Sequence, residues 1–130
     1  MTGDHYHVSG IGGVGMNAIA QLLAHDGCRV TGSDRFWDQG VDLPVFAQLR
    51  GLGVCLLPQD GKAITAETKG LVISTAVEAN NPERIAAKRL GVPERHRAEV
   101  LASFTRRGPL AAIAGTSGKT SCTGWLGWIL

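Results

Sequence analysis

Short β-type segments and amphipathic segments alternate along the whole of this 130-residue chain. That alternation limits the architecture more than any single motif does. Strands that follow one another through helices must run parallel, and the crossovers between them are right-handed, which places helices over both faces of one sheet. β-type residues at 5–9 run into a glycine cluster, after which Met16, Ile19, Ala20, Leu22 and Leu23 recur at helical spacing up to Asp26 and Gly27. A second strand follows at 29–33, then a helix at 41–52 with Val45, Phe46, Leu49 and Leu52 on one face and Gly53 as its stop, and a third strand at 54–57. Residues 58–69 are polar and suggest at most a short helix at 63–68. Leu71, Val72, Ile73 and Ser74 read as a buried strand. Asn81, Pro82 and Glu83 open a helix in the order cap, proline, acid, and it ends at Gly91. A weak strand at 92–96, a helix at 98–107, a break at Gly108 and Pro109, a strand at 110–114 and a helix beginning at Lys119 complete the series. The expected fold is α/β, a Rossmann-like open parallel sheet with helices on both faces.

The first glycine cluster has the spacing G-x-G-x-x-G at Gly10, Gly12 and Gly15, between a strand and a helix. In that setting the first glycine allows a tight turn, the second lets phosphates approach the backbone, and the third lets the helix lie close to the sheet. The helix N-terminus then offers free N–H groups and a partial positive charge. Asp34, 19 residues past Gly15 and at the end of the second strand, is placed to accept from a ribose or a base. A nucleotide or dinucleotide is expected there, and the motif alone does not say which.

The second cluster, Ala114-Gly115-Thr116-Ser117-Gly118-Lys119-Thr120, also follows an apolar segment and opens a helix. Its G-K-T core is that of a phosphate-binding loop. Backbone N–H groups and Lys119 would serve the β- and γ-phosphates, and the Thr120 hydroxyl would serve Mg²⁺. The general pattern wants glycine where Ile113 stands, so the match is partial. Glycine, at 18 residues, is roughly double its average share, and these two clusters hold much of the excess.

Charge and cysteine usage narrow the classes. Thirteen Lys and Arg against eleven Asp and Glu leave a net charge of +2, too small to imply nucleic acid or an anionic membrane. Cys28, Cys55 and Cys122 are odd in number and form no CxxC pair, which favours a reducing compartment over a disulfide framework or zinc site. No apolar run nears the ~20 residues of a membrane span, and the first ten residues lack the order of a signal peptide, so the expected location is the cytoplasm.

Seven segments occur together and in order: HVSGIGGVGMNAIA (7–20), GCRVTGSD (27–34), VISTAV (72–77), NPE (81–83), GVP (91–93), RAE (97–99) and AGTSGKT (114–120). With this set the chain resembles the N-terminal part of a Mur ligase, over essentially its whole length. The resemblance implies a UDP-sugar-binding domain at 1–107. Residues 108–130 would be a linker, the first strand and the phosphate loop of an ATP-binding domain that the chain only begins. It implies an ATP-dependent amide ligase of peptidoglycan synthesis, joining an amino acid, L-alanine in the branch most like this chain, to UDP-N-acetylmuramate or a related UDP-sugar. In that chemistry ATP phosphorylates a carboxylate, a poor electrophile made reactive by a good leaving group, and an amine then attacks the acyl phosphate.

The resemblance assigns Gly10, Gly12, Gly13, Val14 and Gly15 to the UDP-sugar diphosphate, and Ser33 and Asp34 to the uridine. Ser74, Thr75 and Ala76 would line the same crevice, with Asn80 and Arg97 near it. Gly115, Thr116, Ser117, Gly118, Lys119, Thr120 and Ser121 would hold ATP, with Lys119 and Thr120 catalytic and Thr120 on Mg²⁺. The alanine-adding branch usually has histidine at Ser117 and threonine at Ser121. The chain alone would bind uridine nucleotide without turnover. The alternative is an NAD(H)-binding Rossmann domain of an oxidoreductase or redox-sensing regulator, which accounts for 10–34 and leaves 114–120 unexplained. A non-catalytic nucleotide-binding regulatory module is a third reading.

His5, His7, His25 and His96 lack metal-ligand spacing and read as surface or strand-edge residues. The basic residues between Arg84 and Arg107 read as a solvated face. Trp125, Leu126, Trp128, Ile129 and Leu130 form an apolar tail expected to fold against the domain or to mediate self-association.

Overall fold

A computed structural model describes residues 2–130. Five parallel strands form one sheet in the order β3-β2-β1-β4-β5. They are β1 (His5–Ser9), β2 (Arg29–Ser33), β3 (Cys55–Leu56), β4 (Thr68–Ile73) and β5 (Glu94–His96). The helices are α1 (Val14–His25), α2 (Arg35–Asp38), α3 (Pro44–Gly51), α4 (Pro82–Leu90), α5 (Arg97–Thr105) and α6 (Lys119–Ile129). The chain moves outward from β1 through β2 to β3 on one side, then returns to β4 and β5 on the other. The reversal between β1 and β4 makes a topological switch point, where open α/β sheets take their ligands.

The two faces of the sheet differ in chemistry. On one, α1, α3 and α5 cover Tyr6, Val8, Val30 and Val72, and the fully buried Leu23, Phe46 and Leu49 pack into that layer. Full burial of such side chains stabilises by roughly 1.5–3 kcal/mol each, so this face carries most of the apolar energy. On the other, α4 brings only the small Ala86 and Ala87 against Leu71, with Ile64 and Val92 beside them. The rest of that second face is polar. His5, His7 and Ser9 of β1, Thr31 and Ser33 of β2, and Thr68 of β4 are all buried there.

The expected elements formed at the expected places, with four departures. The polar stretch 58–69 holds turns rather than a helix at 63–68, because Asp60, Gly61 and Thr65 bond locally and Thr68 already opens β4. Helix α2 is a single capped turn, too short to show periodicity. Residues 110–114, expected as a strand, are irregular and have no ladder partner. The tail does not fold against the domain: α6 buries no residue, and Trp125 and Trp128 are 72% and 89% exposed.

Candidate functional site

Beyond the C-terminal ends of β1, β2 and β4 lies a crevice of about 620 Å³. Gly10, Gly12, Gly13, Asp34, Ser74 and Ala76 line it, so the structure gathers six of the sequence-derived binding residues at one place. Gly10 adopts φ 70°, a turn that side chains resist, and sends the chain from β1 into α1. Val14 and Gly15 stand in the first turn of α1 rather than in the crevice lining, and Val14 is 89% exposed.

Backbone hydrogen bonds show how the loop is held. Ile11 N–H donates to Ser33 O at 2.9 Å, Gly13 N–H to Gly10 O at 3.0 Å, and Gly12 N–H to Asp34 Oδ2 at 2.8 Å. The amides left for an anion in this turn are therefore those of Val14 and Gly15, at the positive end of α1. Asp34 is buried and its other oxygen, Oδ1, accepts from Phe36 N–H at 2.8 Å, capping α2. Its carboxylate thus ties the glycine loop to the start of α2 while lining the crevice, with one backbone N–H on each oxygen.

Two glycines are needed for reasons the motif does not state. A Cβ on Gly12 would lie 2.8 Å from Asp34 Oδ2 and 3.1 Å from the Phe46 ring, so the close approach is first of all to the protein itself. A Cβ on Gly15 would strike the Arg97 guanidinium, which lies over the first turn of α1 without an ion-pair partner among the described residues. The third glycine of the motif therefore makes room for a cation, where close packing on the sheet was expected.

Ser33 is fully buried on the α4 side of the sheet and does not line the crevice. Thr75 is exposed and also absent from the lining. Arg35 and Phe36 from α2, Leu43, Gln59 and Glu78, which no motif signalled, complete the walls together with Val77, Asn81 and Pro82 of the VISTAV and NPE segments and with Asn80, which the resemblance places near the crevice. Phe36 is 52% exposed, an aromatic surface at the crevice edge. For the residues outside any motif the one available signal was position, since each follows the C-terminal end of a strand.

Under the crevice floor the buried polar residues form a connected row. His7 Nε2 meets Glu83 Oε1 at 2.8 Å, with both side chains fully buried. His7 Nδ1 lies 2.7 Å from Thr31 Oγ1, and His5 bridges Thr31 and Thr68 at 2.9 and 3.2 Å. Burial alone would raise the Glu83 pKa, but the hydrogen bond and charge of His7, helped by the Ser33 and Ser9 hydroxyls, bring it below the ordinary value. Burial, with the nearby Arg29 charge, lowers the pKa of His5. The expectation of surface histidines fails for His5 and His7 because alternation along β1 turns both inward.

The second glycine cluster has the local form of a phosphate loop without surroundings. Gly118 is left-handed at φ 75° and caps α6, and Lys119 and Thr120 occupy its first turn. Residues 114–121 are all exposed, and none lines the crevice. Among the described residues no group of three or more His, Cys, Asp and Glu could hold a metal ion. No helix there is long and apolar enough to cross a membrane.

Comparison with known proteins agrees with this arrangement. A sequence model described as Mur ligase family, catalytic domain, matches residues 5–108. The chain is 40% identical over 124 residues to a UDP-N-acetylmuramate–L-alanine ligase of Sulfurihydrogenibium sp., covering 95% of this chain and 26% of that protein. A Coxiella burnetii protein of the same name is also 40% identical over 124 residues, with 95% and 25% covered. The chain thus spans about a quarter of the length of these curated relatives. Among solved structures, a murein peptide ligase from Psychrobacter arcticus superposes with a TM-score of 0.86 at 27% identity, covering 98% of this chain and 26% of that one. A UDP-N-acetylmuramate–alanine ligase from Thermotoga maritima gives 0.68 at 28% identity, covering 79% and 23%. With the glycine loop, the switch-point crevice and four-fifths of the sequence matching together, the chain belongs to the Mur ligase family.

Proposed function

We propose that residues 1–107 form the UDP-sugar-binding domain of an ATP-dependent amide ligase of peptidoglycan synthesis. The substrate would be UDP-N-acetylmuramate or a related UDP-sugar, and the amino acid added L-alanine. The observation that carries this reading is the crevice at the β1/β4 switch point, walled by the pinned Gly10–Gly13 turn and opening toward the free first-turn amides of α1. The diphosphate would lie against Gly10, Gly12, Gly13, Val14 and Gly15, with Arg97 adding charge over Gly15. Asp34 would hold that loop in shape beside the uridine, with Ser33 supporting it from below. Ser74, Thr75 and Ala76 would flank the sugar side.

Residues 108–130 would begin the ATP-binding domain. ATP, when bound, supplies the phosphoryl group that activates a carboxylate. The left-handed Gly118 and the first turn of α6 fit such a group, since they point free N–H groups outward beside Lys119. Gly115, Thr116, Ser117, Gly118 and Ser121 would wrap the phosphates, Lys119 would neutralise charge, and the Thr120 hydroxyl would hold Mg²⁺. Among the described residues no other element closes over them, so binding there would be weak.

Calorimetric titration of the chain with UDP-N-acetylmuramate, UDP and NADH tests the reading. Saturable binding of both uridine compounds is expected, with no heat from NADH. Tight NADH binding and silence from both uridine compounds would reverse the assignment.

A further inference from the structure

Gln59 lies three residues past the end of β3, in a stretch with no motif, and it lines the crevice. Everything around it is fixed. Leu57 N–H donates to Gly32 O at 2.8 Å, and Gln59 N–H donates to Asp38 Oδ2 at 3.1 Å. Its amide nitrogen Nε2 lies 3.3 Å from Ser9 Oγ and 3.4 Å from Ser33 Oγ.

The direction of that amide follows from what lies beneath. Ser9 and Ser33 face each other across β1 and β2, two residues beyond the His7/Thr31 pair on the same side of the sheet. His7 fixes Glu83 under this row through Oε1, and the Ser33 and Ser9 hydroxyls stand close enough to its carboxylate to help hold its pKa down. An ionised carboxylate only accepts. It draws the two seryl O–H groups downward, leaving their lone pairs to receive donors from above. An amide end that meets two such lone pairs must be NH₂, so the carbonyl end is turned away. Among the described residues no donor reaches Gln59 Oε1.

We propose that Gln59 is a specificity-determining residue of the crevice, its Oε1 accepting a hydrogen bond from an N–H or O–H donor on the bound nucleoside. Glu83 is its positioning residue, acting through Ser9 and Ser33. This rests on the uridine-nucleotide reading above. The donor is the uracil N3–H or a ribose hydroxyl, and analogues separate them.

The test is titration of the full chain with UDP, N3-methyl-UDP, 2′-deoxy-UDP and 3′-deoxy-UDP, for the wild type, Gln59→Met and Ser33→Ala. The wild type is expected to bind one analogue about 3- to 10-fold more weakly than UDP, the loss of one hydrogen bond. Gln59→Met should bind UDP weaker by a similar factor and lose the discrimination against that analogue alone. Ser33→Ala, which removes one tether, should reduce the discrimination without abolishing it. Equal binding of all four ligands by the wild type, or full discrimination retained in both variants, overturns the proposal while leaving the uridine reading intact. A wild type that binds no UDP removes both.

Discussion

The molecule contains two glycine loops of similar local design, and they sit in opposite circumstances. Gly10–Gly15 follows the central strand, is tied to β2 through Ile11 and Ser33, and is locked to Asp34 through Gly12. Gly115–Gly118 follows an irregular segment and leads into a helix that buries nothing. Both present a helix N-terminus, yet only the first is preorganised by a core. A phosphate loop is thus a local conformation plus the packing that keeps it in place, and a sequence motif reports only the first part.

The sharpest test of this contrast is amide exchange. Amides of β1 and β4 should exchange only through global unfolding, on the order of 10⁴-fold or more slower than those of residues 109–130. Comparable protection in both regions, measured by mass spectrometry, would erase the distinction.

Substitution should divide the molecule in the same way. Glu83→Ala leaves His7 buried opposite nothing and is expected to cost about 3–5 kcal/mol, whereas Lys119→Ala should stay within about 0.5 kcal/mol in urea unfolding. Acid titration adds a signature. The folded pKa of His5 lies below its ordinary 6.5, so its contribution is present above that pH and declines as pH falls. Glu83, lowered from 4.5, adds a second loss as pH falls below that value and through its folded pKa. Glu83→Ala should remove the second loss and keep the first.

The smallest effect compares single methyl groups. Gly12→Ala drives a Cβ toward Asp34 and Phe46 and should cost about 1–3 kcal/mol, with weaker UDP binding. Gly118→Ala strains only a left-handed cap and should melt part of α6, about 1 kcal/mol locally, without moving the main transition. An equal shift of that transition by both variants would argue that α6 is part of the cooperative unit.

Much of the fold was legible because strands and helices longer than about five residues carry their own periodicity. The alternation, the Asn81 cap and the glycine turn all reappeared where the sequence placed them. What stayed illegible depends on side-chain direction. Asp34 has the position of a ribose acceptor, and its spacing gave no sign that its oxygens also tie Gly12 to Phe36. Glu83 reads as a first-turn acid suited to a helix dipole, and instead turns inward to His7. Gln59 and α2 lie in segments too short to repeat. Spacing locates the crevice, whereas its inner chemistry depends on pairs far apart in sequence, such as residues 7 and 83.

The alternation of β1 has one more consequence. A central parallel strand covered on both faces usually reads as a continuous apolar run, but His5-Tyr6-His7-Val8-Ser9 alternates. A uniform apolar strand slipped by one residue still buries hydrocarbon on both sides. Here the same slip would push two imidazoles and a hydroxyl among Phe46, Leu49 and Leu23, and set a tyrosine and a valine opposite Glu83. Misregistered sheets are therefore penalised on both faces at once, and β1 acts as a proofreading strand for the assembly of its neighbours.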